Sequence, residues 1–188
     1  MKKKDLFTQI GLAIGLVGLA VVWRIINDSF GFAYNLELVT GVSLVAAVFL
    51  HRYFALIVPL ASVFLSDVVI GNSDIAVFTW SAFLVIGLAG MVLRRWKSQD
   101  GKLLLGTAGM GVGAAVWFFF WTNGGVWLMG DGSFYSKTWD GLMMSYTYGL
   151  PFFRATFLSG AVLAPVVMAA AIYAPRLVET TSKKLALR

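Results

Sequence analysis

The sequence predicts an all-α integral membrane protein with six transmembrane helices and one short amphipathic helix between the fifth and the sixth. Three observations carry this. Of the 188 residues, 59% are hydrophobic and 13% charged, against roughly 45–50% and roughly 25% in soluble domains, and mean hydropathy is +0.82. Apolar runs follow one another with short polar connections, at lengths near the roughly 20 residues a bilayer span takes. Basic residues collect at alternate ends of these runs.

The first run, residues 6–26, follows Lys2, Lys3 and Lys4 in the manner of a secretory signal. It continues through Trp23-Arg24-Ile25 without a small-x-small cleavage site, so it is read as a retained span. Further runs follow at 36–50, 54–70, 75–93, 103–121 and 155–173, with Pro59 inside the third. Residues 122–154 are read as an aromatic outer loop. Within it Thr138 is a plausible N-cap, and Trp139, Leu142, Met143, Tyr146 and Leu150 fall near helical spacing before Pro151 ends the run. That segment is either an interfacial belt helix or a lid over a cavity. With no long repeat and no Pro- or Ser-rich linker, residues 1–188 read as one domain.

Six spans place both termini on one side, and charge names that side. With the N-terminus in the cytoplasm, twelve of the fifteen basic residues and three of the nine acids lie inside, a surplus of nine positive charges. The outer side holds Arg24, Lys137 and Arg154 against six acids, an excess of three negative charges. Such asymmetry is the mark of a multi-pass membrane protein with both termini cytoplasmic. The basic rim meets anionic lipid, and no nucleic acid is required to explain it.

Few polar residues lie near the spans, and each has to face a cavity, a partner or the interface. Arg24, Asp67, Asn123 and Arg154 all fall in the outer half. They are expected to converge on a pocket that is cationic overall, lined by Trp121, Trp127, Tyr146 and Phe153. Paired guanidinium forks suit a carboxylate or phosphate, and the rings suit a flat ligand. The alternative is that Arg24 snorkels, or pairs with Asp67 only to brace the outer ends. His51, in a tight inner turn, reads as a headgroup contact.

Gly11 with Gly15, and Gly109 with Gly113, have the four-residue spacing that lets helix backbones approach closely. Packing within the chain is the default for both pairs, and docking of a partner the alternative for the first. The dinucleotide-like spacing around Gly109 lies inside an apolar run with no strand before it, and carries no chemistry. No nucleophile elbow, metalloprotease motif, paired-glutamate run or phosphate loop occurs, so no enzyme activity and no cofactor are expected. With zero cysteines and one histidine, no metal site is expected.

Three stretches together carry a resemblance. They are Ala55-Leu56-Ile57-Val58-Pro59-Leu60 through Leu65-Ser66-Asp67; Phe118-Phe119-Phe120-Trp121-Thr122-Asn123 with Val126-Trp127; and Tyr135 through Thr138, Gly141-Leu142, Tyr146 and Pro151-Phe152-Phe153-Arg154 with Thr156. The chain resembles, from about Arg24 to about Gly160, a bacterial domain-of-unknown-function family of proposed transport proteins. Members look like the S components of energy-coupling factor (ECF) transporters, which capture vitamins and related micronutrients. Tyr34-Asn35-Leu36-Glu37 keeps the asparagine but lacks the proline of the family's Asn-Phe-x-Pro-like element. The resemblance implies that Asn35 faces the pocket, and that small residues on the first span, Gly11, Gly15 and Gly18 here, meet a coupling subunit.

The expected function is a substrate-binding subunit that takes up a small molecule from the outer side, energised by separate ATPases and a coupling subunit. The alternative is a structural or assembly protein that holds a partner complex through its glycine faces.

Overall fold

The computed structural model describes residues 3–33, 35–71 and 75–186; Lys2, Tyr34, Asp74 and Arg188, used above, lie outside them. The described chain is all helical. It comprises α1 (Lys3–Phe30), α2 (Val39–Phe49), α3 (Phe54–Ile70), α4 (Ala76–Gly90), whose end tightens into a 3₁₀ turn (Met91–Trp96), and α5 (Asp100–Met129). Helix α6 (Trp139–Leu158) runs through a π turn (Ser159–Leu163) into α7 (Ala164–Ala186). Four stretches are long and apolar enough to cross a membrane: Asp5–Phe30, Ala76–Trp96, Asp100–Met129 and Trp139–Leu177. Exposed Leu12, Ile14, Val22, Leu105 and Val166 give the bundle an apolar exterior unlike that of a water-soluble protein. This is the build of a membrane protein.

Helix α2 is the axis of the bundle. It is apolar all round, which in a helix means burial on every side, and residues 39–48 are all buried, against α1, α3, α4, α5 and α7. At 11 residues it rises about 16 Å, roughly half a hydrocarbon core. Its far end is fixed by Arg94, whose guanidinium donates to the Ala47 and Leu50 carbonyls, groups that a helix C-terminus leaves without partners. Beside it the His51 amide donates to Gln9 Oε1 at 2.7 Å. The near end of α2 stops inside the bundle, so the connection from α1, residues 31–38, folds inward to reach it.

The expectation for 122–154 is corrected. Helix α5 continues to Met129, leaving 130–138 as the connection. Thr138 is indeed the N-cap of α6, its side chain accepting from the Gly141 amide. Pro151, however, lies within α6 and does not end it, so no separate amphipathic helix forms. Proline removes one amide donor, and a helix among apolar neighbours keeps the rest of its ladder because nothing else can satisfy those groups.

Glycine packing also differs from expectation. A Cβ added to Gly109 or Gly113 would meet nothing within 4 Å, whereas one on Gly111 would strike the Gly160 carbonyl. The backbones of α5 and the π turn touch there. Gly11, Gly15 and Gly18 likewise meet nothing within 4 Å. They face outward on α1, whose buried side is Ala13 and Ala20, so packing within the chain is not their role.

Candidate functional site

Because α2 is short, the bundle is hollow above its first turn, and the inward loop 31–38 forms one wall of the hollow. Several of the loop's described polar groups are engaged. The Asn27 amide donates to the Ala33 carbonyl at 2.9 Å and accepts from its N–H at 3.2 Å, and Trp23 Nε1 donates to the Leu36 carbonyl at 3.0 Å. The Glu37 N–H donates to Ser159 Oγ at 2.9 Å, a contact the π turn makes by pushing Ser159 inward. Buried Glu37 then accepts from the Thr40 N–H at 2.8 Å and from the Thr40 hydroxyl at 2.6 Å. A carboxylate at the N-terminus of α2 satisfies a donor that a helix start leaves open.

Asn35 is exposed, its backbone carbonyl accepting from Ser159 Oγ at 3.5 Å. Its φ is +65°, the left-handed region that few side chains adopt and asparagine tolerates best. Among the described residues no hydrogen bond engages its amide. Strained backbone of this kind gathers at functional sites, where the surrounding fold holds it in place.

Two hollows meet at Arg24 and Asn35. One of about 260 Å³ runs between α1 and the inward loop, past Asn27, Asp28 and Glu37. The other, of about 400 Å³, extends under Asp67, Thr79, Phe118 and Asn123. Tyr135 of the 130–138 connection and Tyr148 and Phe152 of α6 close its rim. The larger of the two has the size of a small-molecule site.

Arg24 Nη2 lies 2.6 Å from Asp67 Oδ1, with the side chains 17% and 4% exposed. Trp80 Nε1 donates to the other Asp67 oxygen at 2.7 Å. One carboxylate therefore joins α1, α3 and α4, and aligns the Arg24 fork. Arg24 Nε is buried without a partner among the described residues.

Of the sequence-predicted residues, the structure brings Arg24, Asn35, Asp67 and Asn123 together and leaves the other five out. Trp121 stacks on Trp117 and donates to Ser81 Oγ at 2.8 Å. Trp127 donates to the Ser136 carbonyl at 3.0 Å, fastening the 130–138 connection. Tyr146 and Phe153 pack on Phe119. Exposed Arg154 lines a neighbouring, more open groove with Ala33, Leu36, Pro151 and Phe152. For Trp127 the cause is helical phase: at about 100° per residue it stands about 180° from Phe118, while Thr122 and Val126 stay within about 80° of it.

The profile of a family of unknown function, DUF6580, matches residues 4–182. The chain belongs to that family. No curated protein and no solved structure matches it. The cavity of this DUF6580 member is thus read from its own residues. Among those described, no three His, Asp or Glu side chains come together as a metal site. The residues that the sequence reading missed, Glu37, Phe118, Tyr148 and Phe152, were legible only once 31–38 was placed inside the bundle and 139–158 was phased as a helix.

Proposed function

We propose that the protein is a membrane-embedded binding subunit for uptake of a small molecule, similar to the S components of ECF transporters, and not an enzyme. The observation that carries the reading is the loop after α1, which holds Asn35 in a left-handed conformation, its side-chain amide unengaged among the described residues, at the meeting point of two hollows. In this reading the chain crosses a bacterial inner membrane six times, with both termini cytoplasmic and the cavity outward. Helices α2 and α3 then complete their passes with the short segments that flank them.

Import energy would come from separate ATPases through a coupling subunit. The open face of α1 at Gly11, Gly15 and Gly18 suits close approach by such a helix partner. A ligand drives this cycle only by preferring one conformation over another. The elements able to register it are the 31–38 loop through Asn35 and the 130–138 connection through Tyr135.

Native mass spectrometry of the protein from its own membranes, in mild detergent, tests the proposal. The expected spectrum shows a bound small molecule, with ATPase and coupling subunits at fixed ratio in a fraction of the particles. The open α1 face would also fit a subunit that only braces a partner complex. That reading predicts a chain free of small molecules on an unrelated complex, and such a spectrum would overturn the importer.

A further inference from the structure

We infer that the cavity selects a flat organic cation, and that an anionic substrate is excluded. This rests on the binding reading above and reverses the charge expected from the sequence. The cationic pocket anticipated there needed Arg24 and Arg154 together, and Arg154 lines the neighbouring groove, beyond Leu36 and Phe152, and neither hollow. The remaining outer cation, Lys137, is spent on the Trp127 and Leu128 carbonyls at the end of α5.

Among the described residues the lining therefore holds Arg24 against Asp28, Glu37 and Asp67. Arg24 is neutralised by Asp67 at 2.6 Å. Set Glu37 aside, since both its oxygens are occupied by Thr40, and the acids still outnumber the base. An entering anion would have to lie beside Asp67 or displace it, and displacement would strand a buried carboxylate held by Trp80. A cation meets the opposite field, which a cavity with low-dielectric walls strengthens.

The rings point the same way. Phe118, Tyr135, Tyr148 and Phe152 surround the larger hollow, and the Tyr135 and Tyr148 centroids lie 6.3 Å apart. Aromatic faces carry negative potential and form cages for ammonium and other delocalised cations. The Asn35 side-chain carbonyl, unengaged among the described residues, adds a neutral acceptor. Asp28, exposed at the mouth of the smaller hollow, provides the attraction on approach.

The test uses the full-length protein in lipid nanodiscs. A small-molecule cell extract is split by ion exchange into cationic, neutral and anionic pools. Each pool is incubated with the protein, and the molecules retained after washing are weighed by mass spectrometry. Retention from the cationic pool is expected, falling about 3-fold in Asp28→Asn and about 10-fold in Asp28→Lys, and weakening as salt rises. Retention from the anionic or neutral pool alone would overturn the charge assignment while leaving the binding subunit standing. No retention from any pool would overturn both.

Discussion

Asp67→Ala is expected to lower stability by about 3–5 kcal/mol, the usual cost of removing one partner from a buried ion pair, or about 10 °C in midpoint for a chain of this size. The carboxylate joins three helices: its oxygens receive Arg24 of α1 and Trp80 of α4 at 2.6 and 2.7 Å. Alanine leaves both donors without their acceptor. Asp67→Asn keeps an acceptor and is expected to fall between alanine and the wild type. The Arg24→Met, Asp67→Leu double variant removes both charges and is expected to regain most of the loss, less the share owed to Trp80. Thermal unfolding of the four proteins in one detergent checks the series. An Asp67→Ala midpoint within 1 °C of wild type would show that the pair braces nothing.

Gly111→Ala is the second large effect. A methyl group there falls on the Gly160 carbonyl oxygen, backbone against backbone, with no flexible side chain to give way. Overpacking a core costs about 1–3 kcal/mol where side chains can adjust. Here the helices themselves must part, so a loss of about 3 kcal/mol or more is expected, with Gly160→Ala behaving alike. Gly109→Ala and Gly113→Ala, two residues to either side, meet open space and are expected to gain up to about 1 kcal/mol from helix propensity. Equal tolerance at 109 and 111 would mean that the two backbones do not touch.

The membrane class and most helix positions were legible because they depend on composition and run length, which tertiary packing does not alter. The Arg24 and Asp67 pairing was legible too, as two opposite charges forced to the same end of an apolar bundle. Phase was not. Reading 122–154 as a loop removed the helical period that would have put Phe118, Thr122 and Val126 on one face and Trp127 on the other. Pro151 misled because the rule that proline ends helices is learned in water, where a broken helix finds other partners. Glu37 was counted only as an outer charge, since nothing local shows that 31–38 folds inward. That follows from the length of α2, an 11-residue helix at the centre of a bundle whose neighbours run far longer.

The central claim is that the hollow at Asn35, and no other part of the surface, holds the transported molecule. The most direct measurement compares bound small molecule per protein, by mass spectrometry, in wild type, Asn35→Gly and Arg154→Ala. Glycine accepts the left-handed backbone and removes only the amide. The account predicts occupancy reduced at least 10-fold in Asn35→Gly and unchanged in Arg154→Ala. Full occupancy in Asn35→Gly, or loss in Arg154→Ala, would place the site elsewhere and contradict it.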